Sequence, residues 1–141
     1  MVETVIASKE DALCQLFLHC CYRDGEVKEK ELDFVSGLFV ELGLHTSLNF
    51  KEEVLKYKNN KPSSDDETTY LSSLLKHINP VHDYALYSYC AEILLSDASL
   101  ELSEEKLLEH LAQLLEIPAE KQEVIKTLIT QRKAVELQKI F

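Results

Sequence analysis

The fold is decided by residues 12–22, which read ALCQLFLHCCY. In this stretch the apolar side chains follow the i, i+3, i+4, i+7 spacing of a helix: Leu13, Leu16, Phe17 and Cys20. A second face of the same helix is apolar as well, and a helix that is apolar nearly all round belongs in the middle of a core. We therefore predict a central helix from about residue 9 to about residue 23, with Ser8 at its N-terminal cap.

The rest of the chain has the same helical spacing, and no run alternates with period two for long enough to make a strand. A third helix, over about 47–59, is expected to face the core through Phe50, Val54, Leu55 and Tyr57. The last helix opens at Pro118, and its predicted inner face consists of Val124, Ile125, Leu128 and Ile129. We expect the apolar residues of 135–141 to pack back on the core, the alternative being contact with a partner or a membrane surface.

Small and turn-forming residues mark the joints between these helices. Gly43 stands where a left-handed residue ends the second helix, and Gly37 lies inside that helix, where it would allow another helix to approach closely. Asn79 and Pro80 are expected to cap and open the fifth helix. The predicted fold class is all-α, a compact bundle of about seven helices in one domain, residues 1–141.

Composition and charge exclude several classes of protein. A chain of 141 residues can bury a core without disulfides or metal. A net charge of −10 disfavours contact with phosphate backbones, so no nucleic-acid partner is expected. No stretch approaches 18 apolar residues, and the N-terminal residues lack the features of a signal peptide. We therefore expect no transmembrane segment and a cytoplasmic location.

The four cysteines show no metal-binding or disulfide spacing. All of them lie in apolar helical runs: Cys14, Cys20, Cys21 and Cys90. Free cysteine is among the most buried residue types, so these thiols are predicted to be reduced core residues.

An internal repeat appears when the chain is shifted by 73 residues. Residues 12–44 then lie over residues 85–117 without a gap, with 6 identities in 33 positions. Each copy has a nearly all-apolar helix, then an aspartate, then a glutamate seven residues later: Asp24 and Glu31, Asp97 and Glu104. The pattern predicts two helical hairpins related by a pseudo-twofold axis, in halves of about 8–60 and 64–141.

The loop that begins at Asp24 matches the last eight positions of a calcium-binding EF-hand loop. Asp24, Gly25 and Glu31 occupy the ligand, turn and closing positions, but Cys20 and Tyr22 stand where two further ligands are needed. The structural interpretation is that Gly25 forms the turn and the carboxylates stabilise helix starts. The alternative is a divalent-metal site that uses the four acidic residues of the repeat.

The chain resembles the TerB-like domain in one repeated pattern. This pattern is an apolar helix, then the Asp-Gly-Glu-Val motif at 24–27, then an amphipathic helix, with a second copy later in the chain. The resemblance covers residues 8–44 and 81–130. It implies an all-α fold of about seven to nine helices with an internal duplication. It also implies a role in bacterial stress-response systems, at or near the inner face of the membrane.

The same resemblance implies an interaction module rather than a catalyst, with metal binding through acidic residues. The matching positions are Asp24, Gly25, Glu31, Asp97 and Glu104. The second copy departs from the motif at Ala98 and Ser99, where the first has its turn glycine. A divalent metal ion is the one cofactor that these residues suggest, and protein partners, including membrane-associated ones, are the expected partners.

The repeat also places His19 opposite Glu92, since each lies five residues before the aspartate of its motif. If the two central helices pack across the pseudo-twofold axis, these side chains would form a buried pair, and the pKa of the histidine would rise. No pattern of a nucleophile and a base is present, so the protein is predicted not to be an enzyme. The functional hypothesis is a cytosolic TerB-like interaction module, and its alternative is a metal-binding or metal-sensing domain.

Overall fold

The computed structural model describes residues 6, 8–22, 29–95, 102–139 and 141, apart from the side chains of residues 30, 64, 102 and 103. These residues form α-helices and short 3₁₀ turns and contain no strand. The helices are α1 (Lys9–Tyr22), α2 (Glu29–Glu41), α3 (Phe50–Asn60), α4 (Glu67–Ile78), α5 (Asp83–Leu94), α6 (Leu102–Leu114) and α7 (Ala119–Gln138). The prediction of an all-α fold with seven helices is confirmed for this part of the chain. None of these helices is long and apolar enough to cross a membrane.

The chain divides into two compact units, Met1–Val81 and His82–Phe141. In the first unit α1 packs against α2, α3 and α4, and in the second α5 packs against α6 and α7. The fourth helix lies in the first of these units. The single domain and the duplication stay predictions.

The central position of α1 follows from its sequence. All the residues from Asp11 to Tyr22 are buried except Leu13, and the four cysteines are free and buried as predicted. Ser8 caps the helix, because its Oγ accepts a hydrogen bond from the Asp11 amide at 3.1 Å. The apolar pattern of this helix was thus a sound guide to its burial.

Two helix boundaries differ from the predicted ones, the start of α3 and the start of α5. A 3₁₀ turn over Leu44–Thr46 delays α3, which begins at Phe50 because the Asn49 side chain accepts a hydrogen bond from the Glu52 amide at 3.0 Å. A second 3₁₀ turn over Ser64–Asp66 precedes α4. Asn79 ends α4 in the left-handed conformation instead of capping α5, which begins at Asp83.

Gly37, inside α2, and Gly43, which follows the end of α2, compare differently with their predictions. Gly43 has φ 76°, and its amide donates to the Val40 carbonyl at 3.0 Å, as expected of a residue that ends a helix. The prediction for Gly37 is wrong, because a Cβ built at this position meets no heavy atom within 4 Å. Among the residues that the structure describes, none comes within that distance of Gly37.

The inner faces of α3 and α7 were predicted correctly only in part. In α3, Tyr57 is buried as predicted, but Leu55 is exposed and Glu53, which was not predicted, is buried. In α7 only Ile129 is fully buried, while Val124 and Leu128 are 63% and 57% exposed. The end of the chain does not pack back on the core either, since Leu137 and Phe141 are exposed. The apolar pattern alone did not predict which faces of these helices are buried and which are exposed to solvent.

Candidate functional site

The most distinctive feature of the first unit is a polar stripe on α1. Asp11, Gln15 and His19 are spaced four residues apart, so they share one face of the helix. Each of them is only 1% exposed. Because burying a polar group without a hydrogen bond is costly, the residues that meet this stripe decide how α3 and α4 pack on α1.

At one end of the stripe, His19 connects α3 with α4. Its Nδ1 lies 2.7 Å from the Tyr57 hydroxyl, and its Nε2 lies 2.9 Å from Oε2 of Glu67. The neutral tautomer that satisfies all three groups has Nε2–H donating to the carboxylate and the tyrosine hydroxyl donating to Nδ1. All three side chains are buried, and the His19 ring also lies 5.3 Å from the Tyr70 ring, centroid to centroid.

At the middle of the stripe, Gln15 binds α3 twice. Its Nε2 donates to Oε1 of Glu53 at 3.0 Å and to the Glu53 carbonyl at 3.1 Å. Gln15 and His19 each meet a residue 38 positions further along the chain, so α1 and α3 advance in the same direction along this contact. One glutamine side chain thereby fixes the register of α3.

At the other end of the stripe, Asp11 forms an ion pair with Lys56. Burial is the largest cause that raises the pKa of Glu53, to about 7, and the neighbouring carboxyl group of Asp11 raises it further. Gln15 and Lys56 act in the opposite direction, since each stabilises the ionised carboxylate. Two carboxyl groups and one ammonium group are thus collected between two helices.

The neighbouring thiols and phenols are kept neutral by their surroundings. Burial is the main cause that raises the pKa of Cys14, and the carboxylates of Glu53 and Asp11 raise it further. Burial likewise raises the pKa of Tyr70. Because thiolate is the reactive form of cysteine, Cys14 is a packing residue rather than a nucleophile.

The predicted acidic positions are only partly within the described residues. Asp24, Gly25 and Asp97 lie outside them. Glu31 and Glu104 lie in the first turns of α2 and α6 and are 2% and 6% exposed, so the two closing carboxylates of the repeat are both buried. The charge of Glu31 also contributes, after burial, to raising the pKa of Cys21.

The predicted partners His19 and Glu92 each have contacts inside their own unit. His19 bonds Tyr57 and Glu67 as described above, and Oε1 of Glu92 accepts a hydrogen bond from Arg132 at 3.2 Å. The pairing of His19 with Glu92 stays a prediction. Within the described ranges, no group of three His, Cys, Asp or Glu side chains could hold a metal ion.

The second unit carries an open groove of about 400 Å³ on the outer face of α7. Its lining residues come from successive turns of that helix: Glu123, Val124, Thr127, Leu128 and Gln131. Two of these residues are apolar and three are polar, a mixture that is common in protein contact surfaces.

The contacts of the polar stripe with α3 were missed by sequence reasoning, although a signal was present. Polar residues recur every four positions in α1, which is otherwise apolar. In α3, Glu53 and Tyr57 have the same spacing. Two helices whose polar residues share a spacing of four can bury them against each other, because such residues lie on one face.

Comparison with known proteins gives no assignment: no protein-family model matches the chain, and no curated protein or solved structure matches it.

Proposed function

We propose that this chain is a non-catalytic interaction module that binds a protein partner through the outer face of α7. The TerB-like resemblance of its motif extends the proposal to a bacterial stress-response system, in the cytoplasm or at the inner face of the membrane. Two features of the molecule support it, the enclosure of the polar groups on α1 and the exposure of apolar groups on α7.

The observation that carries the proposal is the contrast between these two sets of residues. His19, Tyr57 and Glu67 form a hydrogen-bonded chain of the kind that could move a proton, but all three are buried. A substrate would reach them only if the helices separated. Their bonds to one another instead hold α3 and α4 against α1.

The exposed apolar residues of α7 supply the contact surface. Val124 and Leu128 are exposed and one turn apart in the groove lining, which also includes Glu123, Thr127 and Gln131. A protein surface of this composition can bury its apolar centre and keep hydrogen bonds at its rim. Large exposed apolar side chains grouped on one helix face commonly mark such contacts.

Site-specific photo-crosslinking in the source cells tests the proposal. A photoreactive residue at Val124 should give a discrete adduct with a protein partner, and Leu128→Asp should abolish that adduct. Val40 is the matched control, because it is also an exposed apolar residue on a helix, in the first unit. An adduct of equal yield from Val40, or none from Val124, would contradict the proposal.

A second candidate function is a divalent-metal site formed by the acidic residues of the repeat. The observation that favours it is the burial of Glu31 and Glu104 at corresponding positions of α2 and α6. Carboxylate oxygens are the ligands that hard divalent cations prefer. Asp24 and Asp97 would complete the ligand set, as the resemblance implies.

Thermal unfolding distinguishes this second function from the first. The protein is treated with a chelator, and Ca²⁺, Mg²⁺, Mn²⁺ or Zn²⁺ is then added. An ion at 100 times its Kd would stabilise the protein by about 2.7 kcal/mol. Asp24→Asn should remove that shift, whereas Asp33→Asn, an exposed change on α2, should preserve it. If no ion raises the Tm, the second function fails and the first is unaffected.

A further inference from the structure

The offset of 73 residues relates structural features of the two units as well as their sequences. Helices α2 and α6 begin and end at positions that differ by 73. Gly43 and Glu116, which follow these helices at the same offset, both have positive φ, 76° and 57°. Their amides donate to the carbonyls of Val40 and Gln113, also at that offset, at 3.0 and 3.2 Å. This agreement makes residues of α5 the counterparts of residues of α1 that lie 73 positions earlier.

Among the described residues, only the first unit has a fourth helix. This helix, α4, packs against α1, and its buried apolar residues recur with helical spacing: Tyr70, Leu71, Leu74, Leu75 and Ile78. It also meets His19 of α1, whose Nε2 lies 2.9 Å from the Glu67 carboxylate and whose ring lies 5.3 Å from the Tyr70 ring. In the first unit α4 therefore gives α1 both apolar cover and a hydrogen-bond partner.

The N-terminal half of α5 is open to solvent where that of α1 is enclosed. Three residues at this end of α1 are at most 1% exposed: Asp11, Ala12 and Gln15. Their counterparts form what we call the open face of α5: Tyr84, Ala85 and Ser88. Tyr84 is 46% exposed, Ala85 is exposed and Ser88 is half-buried. A tyrosine beside two small residues suits a helix contact, because its ring supplies apolar area and its hydroxyl a hydrogen bond.

Glu92 indicates the charge that a helix on the open face would need. It lies one turn after Ser88 on the same face of α5, and it is the counterpart of His19. Among the described residues, its side chain is bonded by Arg132 of α7 alone. A carboxylate can accept further hydrogen bonds. A helix that takes the place of α4 here would need a cation where α4 has Glu67, because two facing carboxylates repel each other.

We propose that the open face of α5, with Glu92 at its end, binds an amphipathic helix of a partner protein. This helix shares the apolar spacing of α4 and carries Lys or Arg at the position of Glu67, three residues before its first large apolar residue. Charge complementarity favours such a partner over a second copy of this chain, whose α4 would bring Glu67 to Glu92. The open face is separate from the groove on α7, so the proposal goes beyond the proposed function and does not depend on it.

Two fluorescein-labelled peptides that span residues 64–80 test the proposal by fluorescence anisotropy with the whole chain. One peptide has the natural sequence, and the other carries Glu67→Lys. The Glu67→Lys peptide should bind about tenfold more tightly, because its ammonium group replaces a carboxylate that would face Glu92. In a Glu92→Gln protein this preference should fall to about twofold or less, since the charge that selects the lysine is gone.

Substitutions in the protein locate the binding. Tyr84→Asp should weaken binding of the Glu67→Lys peptide by about tenfold or more, whereas Leu55→Asp, at an exposed position of α3, should leave it unchanged. Unchanged binding to Tyr84→Asp would mean that the peptide displaces α4 from α1, which would overturn the proposal. Equal binding of the two peptides would instead favour α4 of a second copy as the occupant. That result, or no binding at roughly 1 mM protein, would overturn the proposal as well.

Discussion

The two helices that the offset of 73 residues aligns, α1 and α5, use their polar positions in different ways. Asp11, Gln15 and His19 of α1 are buried and bonded to α3 and α4. The corresponding residues of α5 are Tyr84, Ser88 and Glu92. Tyr84 is 46% exposed, Ser88 is half-buried, and Glu92 bonds an arginine that is itself largely exposed. Similar apolar patterns therefore support an enclosed polar network on α1, whereas on α5 only Glu92 of the three corresponding residues is buried, and it bonds a largely exposed arginine.

The second helix of each copy does not show this difference. The offset pairs four buried residues of α2 with four buried residues of α6: Glu31, Val35, Leu38 and Phe39 with Glu104, Leu108, Leu111 and Ala112. The contrast is therefore specific to the first helix of each copy. In the first unit α1 has additional packing partners in α3 and α4, whose polar side chains complete the network.

The largest expected effect comes from removing the histidine or its counterpart. His19→Ala leaves the Glu67 carboxylate buried without its partner and should lower the free energy of unfolding by about 3 kcal/mol. Glu92→Ala breaks a pair whose Arg132 side chain is 53% exposed and should cost about 1 kcal/mol or less. Urea denaturation followed by circular dichroism measures both. Equal losses would show that the two networks are energetically alike.

The next effect concerns a single hydroxyl group. Tyr57→Phe removes the donor to Nδ1 of His19 and should cost about 1–2 kcal/mol, because a buried acceptor loses its bond. Tyr84→Phe makes the same chemical change at an exposed position of α5 and should be nearly neutral. The same denaturation measurement applies. A neutral Tyr57→Phe would mean that the hydroxyl contributes little to the network.

The sequence predicted the burial of the apolar residues of α1, but it did not predict the buried polar network between α1, α3 and α4. The run of apolar residues was sufficient for α1 and its buried cysteines, because burial of an all-apolar helix needs no knowledge of its neighbours. The inner face of α3 depended on the neighbour, since Glu53 and Tyr57 are buried by partners on α1, while Leu55 faces solvent. Hydrophobic periodicity cannot rank a glutamate above a leucine, so that choice is made by tertiary hydrogen bonds.

Thiol reactivity compares the local stability of the two central helices. The four buried cysteines should resist a disulfide reagent in the native protein and react fully in urea. Cys90 of α5 should react faster than Cys14 of α1, because α1 packs against three helices and α5 against two, and because burial raises the pKa of Cys14. Mass spectrometry of labelled peptides at timed intervals gives the order. If Cys14 reacted faster than Cys90, α1 would be locally less stable than α5, which would contradict this prediction.

The smallest expected effect tests a difference between α2 and α6, where the offset pairs Gly37 with His110. Gly37 lies inside a helix and an added Cβ would meet nothing within 4 Å, so Gly37→Ala should stabilise the protein by about 0.5–1 kcal/mol. Gly43→Ala is the matched control, because φ 76° at that position favours glycine and the same substitution should destabilise. Thermal unfolding should therefore shift in opposite directions for the two variants. If Gly37→Ala destabilised the protein, α2 would need the glycine for a close contact at this position. The helices α2 and α6 would then differ at this position, although their buried residues correspond.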